Sequence, residues 1–259
     1  MALSRRDIQF VRSLYQRKFR QKYNKFIVEG DKIAQEAIRS APSQIDRVLA
    51  LPEWWDECEL QPVDQAYSCE VISERQLQQL SRLQSPNRAL VVMHLKEAEW
   101  DPGVVRSRLC LYLDGIQDPG NAGTLLRIAD WFGLPYVFAS NDSADGYNPK
   151  VLQASMGAFL RVPYIRLEPD ELFGEETEAF PLMGASLKGE SIFERAFPSH
   201  GLLVIGREGS GIREALGHRL THRLYIPGGG QAESLNAATA TGIIVAQLLY
   251  GAGLGGRQA

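Results

Sequence analysis

Five polar side chains, Asn121, Arg127, Glu208, Ser234 and Asn236, stand in or beside three glycine-rich segments of the second half of the chain. The first segment, Leu113-Asp114-Gly115-Ile116-Gln117-Asp118-Pro119-Gly120-Asn121-Ala122-Gly123-Thr124-Leu125-Leu126-Arg127, leaves an apolar run and turns into a helical pattern. Backbone N–H groups at such a helix start suit an anion. Asn121 and Arg127 each offer several hydrogen bonds. Six residues apart, they do not share a helical face, so they converge only if Asn121 lies in the loop. The same pattern also describes a plain strand, turn and helix with an ordinary cap. The second segment, Val204-Ile205-Gly206-Arg207-Glu208-Gly209-Ser210-Gly211-Ile212, places three glycines within six residues. Such a backbone can approach a ligand closely. It is not a phosphate-binding P-loop, which continues Gly-Lys-Ser/Thr, and its spacing is not that of the dinucleotide fingerprint. The third, Ile226-Pro227-Gly228-Gly229-Gly230-Gln231-Ala232-Glu233-Ser234-Leu235-Asn236, runs into an Ala/Thr/Gly-rich helix, where Ser234 reads simply as an N-cap.

The elements that must carry these segments follow from apolar patterning. Leu109 to Leu113, Pro135 to Ala139, Pro181 to Met183, Leu202 to Ile205 and Leu224 to Ile226 read as buried strands. Helices are expected over about 121–132, closed by Gly133, over about 149–159, and over about 234–250. Strands that are apolar throughout, alternating with helices, predict a parallel sheet covered on both faces. Ligands of such sheets bind beyond the carboxyl ends of the strands, where the three segments fall.

The first half reads as a separate, small α/β unit. Ser4 is an expected cap for a helix over about 5–18, and Asp31 for one over about 32–39. Strands are expected at Phe26 to Val28, Arg47 to Ala50, Tyr67 to Val71 and Leu90 to His94. Ser73 precedes a helix that turns Leu77, Leu80 and Leu83 inward. The charged stretch 96–108, containing Pro102-Gly103, is the expected linker, which gives domains of residues 1–102 and 103–259.

Bulk composition narrows the function classes. With 44% hydrophobic and 23% charged residues the chain has ordinary globular composition. No apolar run reaches the roughly 18 residues of a membrane span, and no apolar stretch follows the first residues as a secretory signal requires. Cys58, Cys69 and Cys110 are dispersed and odd in number, which argues against a disulfide framework and for a reducing cytoplasm. Net charge is −3, yet residues 1–25 hold eight basic residues and one acid, leaving 20 basic and 30 acidic residues elsewhere, a balance of −10. A basic arm on an acidic body suits a polyanion, because clustered cations displace phosphate counterions. It is also what a solvated charged helix looks like. No metal site is expected, since His94, His200, His218 and His222 are scattered; His218 and His222, four apart, share a helical face at most and lack further ligands.

Taken together, the three segments resemble the signature motifs of the SpoU (TrmH-like) RNA methyltransferases, in that family's order. Asn148-Pro149-Lys150-Val151 followed by Ala154-Ser155-Met156-Gly157-Ala158 matches as well, so the likeness spans about 109–250. The first half resembles the ribosomal-protein-like substrate-binding domain found before this catalytic domain, best at Phe26-Ile27-Val28-Glu29-Gly30. The resemblance implies a parallel α/β sheet with a C-terminal trefoil knot, a homodimer, and S-adenosylmethionine as cofactor. It implies that Gly206, Ile226 and Leu235 contact the cofactor, and that Asn121, Arg127, Glu208, Ser234 and Asn236 serve catalysis and target binding. Gly228-Gly229-Gly230 replaces a more usual Met-containing stretch, and Ala237-Ala238 replaces bulkier or hydroxylated residues, while Glu233-Ser234-Leu235-Asn236 is intact.

The expected activity is 2′-O-methylation of a ribose in RNA, ribosomal RNA ahead of tRNA because of the separate N-terminal domain. The competing readings are a tRNA 2′-O-methyltransferase and a non-catalytic RNA-binding protein that kept the fold. A nucleotide-dependent oxidoreductase lacks its phosphate fingerprint.

Overall fold

The computed structural model describes residues 3–58, 67–173 and 180–254. Met1 and Ala2 lie outside them. The chain divides into two compact units, residues 1–97 with 147–160, and residues 98–146 with 161–259.

The first unit opens with two helices, α1 (Arg5–Ser13) and α2 (Arg17–Tyr23), where patterning predicts one. Ser4 caps α1 as expected and closes a capping box with Asp7. The break follows from Arg20, whose buried guanidinium donates to the carbonyl oxygens of Leu14 and Tyr15 at 3.0 and 3.1 Å. Those carbonyls are satisfied outside any helix. β1 (Lys25–Glu29), α3 (Asp31–Ser40), β2 (Ile45–Ala50), α4 (Pro52–Glu57), β3 (Ser68–Val71), α5 (Glu74–Leu80) and β4 (Ala89–His94) follow. Asp31 does not cap α3. Gly30 is the N-cap, with φ of 142°, and the Asp31 carboxylate accepts from the Arg88 amide and Nε at 2.8 and 2.7 Å. Leu77 and Leu80 are buried on α5, whereas Leu83 lies past its end and is half-buried.

The four strands form a mixed sheet in the order β1-β4-β2-β3. β4 runs antiparallel to β1 and β2, and β2 is parallel to β3. Strand residues alternate between two cores. Phe26, Val28, Val91 and Met93 join Trp54 and the Ile33–Ala37 face of α3. Ile27, Leu90 and Val92 join Val11, Leu14, Leu77 and Leu80. This is the period of two expected of a sheet covered on both faces.

In the second unit the stretch predicted to be a linker holds a helix, α6 (Pro102–Ser107), whose cap Asp101 accepts from the Gly103 amide at 2.8 Å. β5 (Leu109–Asp114), α7 (Pro119–Trp131) and β6 (Val137–Ala139) come next. α8 (Pro149–Ser155) belongs to the first unit. Leu152 enters that unit's core, and Tyr147 and Phe159 pack on Phe26 with ring centroids 4.8 and 6.0 Å away. α8 ends at Met156 and Gly157, whose φ angles of 51° and 90° stop it short of the predicted 159.

The second unit continues through β7 (Tyr164–Arg166), α9 (Pro169–Phe173), β8 (Leu182–Ser191), β9 (Gly201–Gly206), α10 (Glu214–Gly217), β10 (His222–Tyr225) and α11 (Ala237–Leu254). Its six strands lie in the order β10-β8-β9-β5-β6-β7, and every pairing is parallel, as the apolar strands predicted. One edge of this sheet therefore collects every carboxyl end. β7 is three residues long and carries too little pattern to be read from sequence.

Candidate active site

Asn121 lies in the first turn of α7. The N-cap Asp118 accepts from the Asn121 amide at 2.7 Å. Asn121 is therefore helical, and Arg127 sits about 9 Å further along the axis on another face. The condition for the two to converge, Asn121 in the loop, is therefore not met. Arg127 is exposed and makes no hydrogen bond or ion pair among the described residues.

Asn121 instead meets one residue from each of the other two segments. Its Nδ2 donates to Glu208 Oε1 at 2.9 Å. Asn236 Nδ2 donates to Asn121 Oδ1 at 3.0 Å and to Glu208 Oε1 at 3.1 Å. The three side chains close a triangle whose members are separated by up to 115 positions in sequence. Asn236 has a second task. Its Oδ1 accepts from the Ala238 and Thr239 amides at 2.9 and 3.3 Å, which makes it the cap of α11. The cap is thus not Ser234. Ser234 is exposed, outside the triangle, and α11 begins at Ala237 instead of 234.

The loop carrying Glu208 is a tight hairpin. Arg207 and Gly211 exchange backbone hydrogen bonds at 3.0 and 2.9 Å, with Gly209 and Gly211 at φ of 90° and 72°. A Cβ on Gly206 would stand 2.3 Å from the backbone of Gly211 and Ile212. Glycine is required there because the chain crosses itself, a nearer cause than approach to a ligand.

Two ion pairs pin this hairpin to the sheet edge, and sequence reasoning singled out none of their members. Asp114, fully buried at the end of β5, accepts from the Arg213 amide at 2.7 Å and from its Nε at 2.5 Å. Burial disfavours the charge on Arg213, but the hydrogen bond and charge of Asp114 outweigh it and raise the pKa. At the other end of the hairpin, Arg207 Nη2 pairs with Asp142. Ser140, donating to Asp142 at 2.6 Å, holds that carboxyl below the usual range against partial burial, and Arg207 adds to the effect. The one available signal was Asp114, an acid ending an otherwise apolar strand.

Gly206 closes β9, Ile226 is the first residue past β10, and both are half-buried. Leu235, just before the cap of α11, leaves 48% of its surface exposed. Burial pushes the Cys110 thiol up to about 12, which makes it inert, and all three cysteines are free. His218 ends α10 whereas His222 begins β10, so they share no helical face. Among the described residues no three His, Cys, Asp or Glu side chains gather to hold a metal. No helix among them is long and apolar enough to cross a membrane.

Comparison with known proteins bears on both units. The model of the SpoU rRNA Methylase family matches residues 108–246, and that of the MRM3-like substrate binding domain matches residues 5–91. The 23S rRNA (guanosine(2553)-2′-O)-methyltransferase RlmP of Bacillus subtilis is 31% identical over 239 residues, 92% of this chain and 93% of that protein. The structure of a protein of the TrmH family of RNA methyltransferases from Porphyromonas gingivalis superposes with a TM-score of 0.83 at 37% identity, over 95% of this chain and 98% of that one. An AdoMet-bound rRNA methyltransferase from Sinorhizobium meliloti shares the fold, with a TM-score of 0.83 at 21% identity over 96% and 97% of the two chains.

Proposed function

Because the chain belongs to the SpoU rRNA methylase family, we propose that it transfers a methyl group from S-adenosylmethionine to a ribose 2′-hydroxyl of ribosomal RNA. The observation that carries this reading is the closed triangle of Asn121, Glu208 and Asn236, one residue from each glycine-rich segment. The Bacillus subtilis relative, whose name gives this activity on 23S rRNA, supports the choice of RNA. Residues 1–102 then bind the RNA and residues 103–259 carry the chemistry.

The residues at the carboxyl edge fit the cofactor. Exposed Leu235 and half-buried Ile226 offer apolar surface to an adenine ring, and Gly206 offers backbone. These three would hold S-adenosylmethionine. When bound, it supplies a methyl carbon that the sulfonium makes electrophilic and that departs from a neutral leaving group.

The protein's task is then mainly orientation, which can contribute roughly 7–11 kcal/mol in favourable systems. Glu208 Oε1 is engaged by the two asparagine amides, and this fixes the hairpin. Glu208 Oε2 and the second Asn121 Nδ2 hydrogen have no partner among the described residues. They are placed to orient the ribose, with Ser234 close by in sequence. Arg127, whose guanidinium is a poor base, binds a substrate phosphate and stabilises the developing alkoxide. The proton leaves to phosphate or water.

The homodimer and the trefoil knot of the family belong to the same proposal. α11 is apolar on nearly all sides, and α7 packs against it. Trp131 on α7 and Tyr250 on α11 are 83% and 59% exposed, apolar surface suited to a second copy. Arg127, four residues before Trp131, shares its helical face. Free thiols agree with a cytoplasmic setting.

The test is transfer of tritiated methyl from S-adenosylmethionine to ribosomal RNA, read as 2′-O-methylnucleoside after digestion. Label in tRNA alone would correct the substrate. Cofactor-independent RNA binding without transfer would leave an RNA-binding protein. Gly206→Trp is a poor control, since it breaks the hairpin itself; Leu235→Arg blocks the same region without that fault.

A further inference from the structure

Two sets of cations in the first unit contrast. Lys25 and Arg47 are engaged by acids: Lys25 by Asp46 at 2.5 Å, Arg47 by Asp46 and Glu70 at 3.2 and 3.4 Å. Arg5, Arg6, Arg12, Arg17, Lys18 and Lys22 on α1 and α2 are all exposed and form no ion pair among the described residues. Solvated cations alone are weak evidence of a ligand. Here two of them, Lys18 and Lys22, stand over aromatic rings that are only partly covered.

Tyr23, at the end of α2, is 38% exposed. Phe10 of α1 meets it edge-on, with centroids 5.1 Å apart and planes at 73°. Phe19, one helical turn back, lies parallel to it at 6.2 Å and 11°. Lys18 stands 4.8 Å over the Phe19 ring and Lys22 5.4 Å over the Tyr23 ring. Phe10 is itself half-buried against the core, so Tyr23 is propped from one side. Unpaired cations beside a rigid, accessible ring are the two components of single-strand recognition: phosphates on the charges, a base on the ring. A duplex offers the charges the same phosphates but keeps its base faces stacked inside.

We propose that α1 and α2 bind an unpaired stretch of the substrate RNA, with a base stacked on Tyr23 beside Phe19 and the flanking phosphates on Arg17, Lys18 and Lys22. This rests on the reading of the chain as an RNA-modifying enzyme and adds which form of RNA the first unit selects.

The experiment is fluorescence anisotropy of the full chain with a labelled, unstructured oligoribonucleotide of about 12 nucleotides and with a duplex of equal length. Tyr23→Leu keeps the apolar bulk and removes the ring; it is expected to weaken single-strand binding about tenfold and to leave duplex binding unchanged. Tyr23→Phe keeps the ring and is expected to bind like the native chain. Lys18→Gln with Lys22→Gln is expected to weaken both ligands and to lower the log–log salt slope for the single strand by about 1.4. Native single-strand affinity in Tyr23→Leu overturns the proposal, as does an equal loss in Tyr23→Leu and Tyr23→Phe. Methyl transfer is measured separately on the same samples. Stacking-dependent binding without transfer overturns the methyltransferase reading and leaves this site standing; transfer with binding insensitive to Tyr23 does the reverse.

Discussion

The two sheets handle their polar residues differently. In the second unit all six strands point one way, so Asp114, Gly206 and the loops after β6 and β10 arrive at one edge whatever their order in the chain. In the first unit β4 runs against both β1 and β2, so loops leave at both ends and no edge collects them. Its free cations lie instead on two consecutive helices. The parallel sheet makes a site out of positions 121, 208 and 236, which only folding brings together. The mixed sheet displays a patch out of positions 5 to 22 that is already contiguous as sequence.

If this contrast is sound, damage to the parallel edge should spare the patch. The largest effect is expected from Asp114→Ala. It leaves the Arg213 guanidinium without its buried partner, and such breaks cost about 3 kcal/mol or more when the orphaned charge is itself buried; Arg213 is part-exposed and keeps Glu168 at 3.5 Å, so the loss should fall below that. Urea unfolding should register that loss, and methyl transfer should fall below detection while single-stranded RNA still binds. Equal loss of RNA binding would show that the patch depends on the edge.

Glu208→Ala should lower the transfer rate roughly a hundredfold by releasing both asparagines, in line with what small misplacements cost. Glu208→Gln keeps an Oε1 acceptor for both amides and should stay within about tenfold, as single-turnover rates would reveal. A Gln variant as poor as Ala would give the carboxylate charge a part in the chemistry.

Asn236→Ser separates the two tasks of that residue. Serine still caps, so stability should change by no more than a few tenths of a kcal/mol, whereas alanine should cost about 1 kcal/mol. Both should lose transfer, because neither reaches Asn121 and Glu208.

The smallest effect is a pH dependence. Asp142 has a depressed pKa in the folded state, so its contribution is fully present above the ordinary carboxylate pKa near ~3.9 and fades as pH falls through and below that value. Asp142→Asn should therefore flatten the acid limb of stability below about pH 5. With both partners part-exposed, the loss at neutral pH should stay under ~1 kcal/mol. An unchanged acid limb in urea titrations would mean the pair contributes nothing.

Much of the architecture was legible because it is written in local pattern. β5 and β9 read as fully covered strands from unbroken apolar runs, and Ser4 read as a cap and is one. What misled was side-chain bonding that periodicity does not record. Arg20 splits a helix by bonding carbonyls five and six positions back. Arg88 draws Asp31 away from capping across 57 positions. At the site, the family resemblance marked Asn121, Glu208 and Asn236, but not that they touch each other. Asp142, Arg207 and Arg213 were invisible, since their meaning lies only in the pairs they form after folding, and Asp114 showed only as an acid ending an apolar strand.

Asn236 caps α11 through Oδ1 while its Nδ2 joins Asn121 and Glu208. One amide group thus links the onset of an 18-residue helix to the assembly of the pocket. Thermodynamic reciprocity then requires that whatever favours the one favours the other to the same degree. A ligand seated against the triangle should slow hydrogen exchange of the Ala238 and Thr239 amides without touching them. The N-terminal turn of α11 thereby becomes a reporter of occupancy that can be read with no turnover at all.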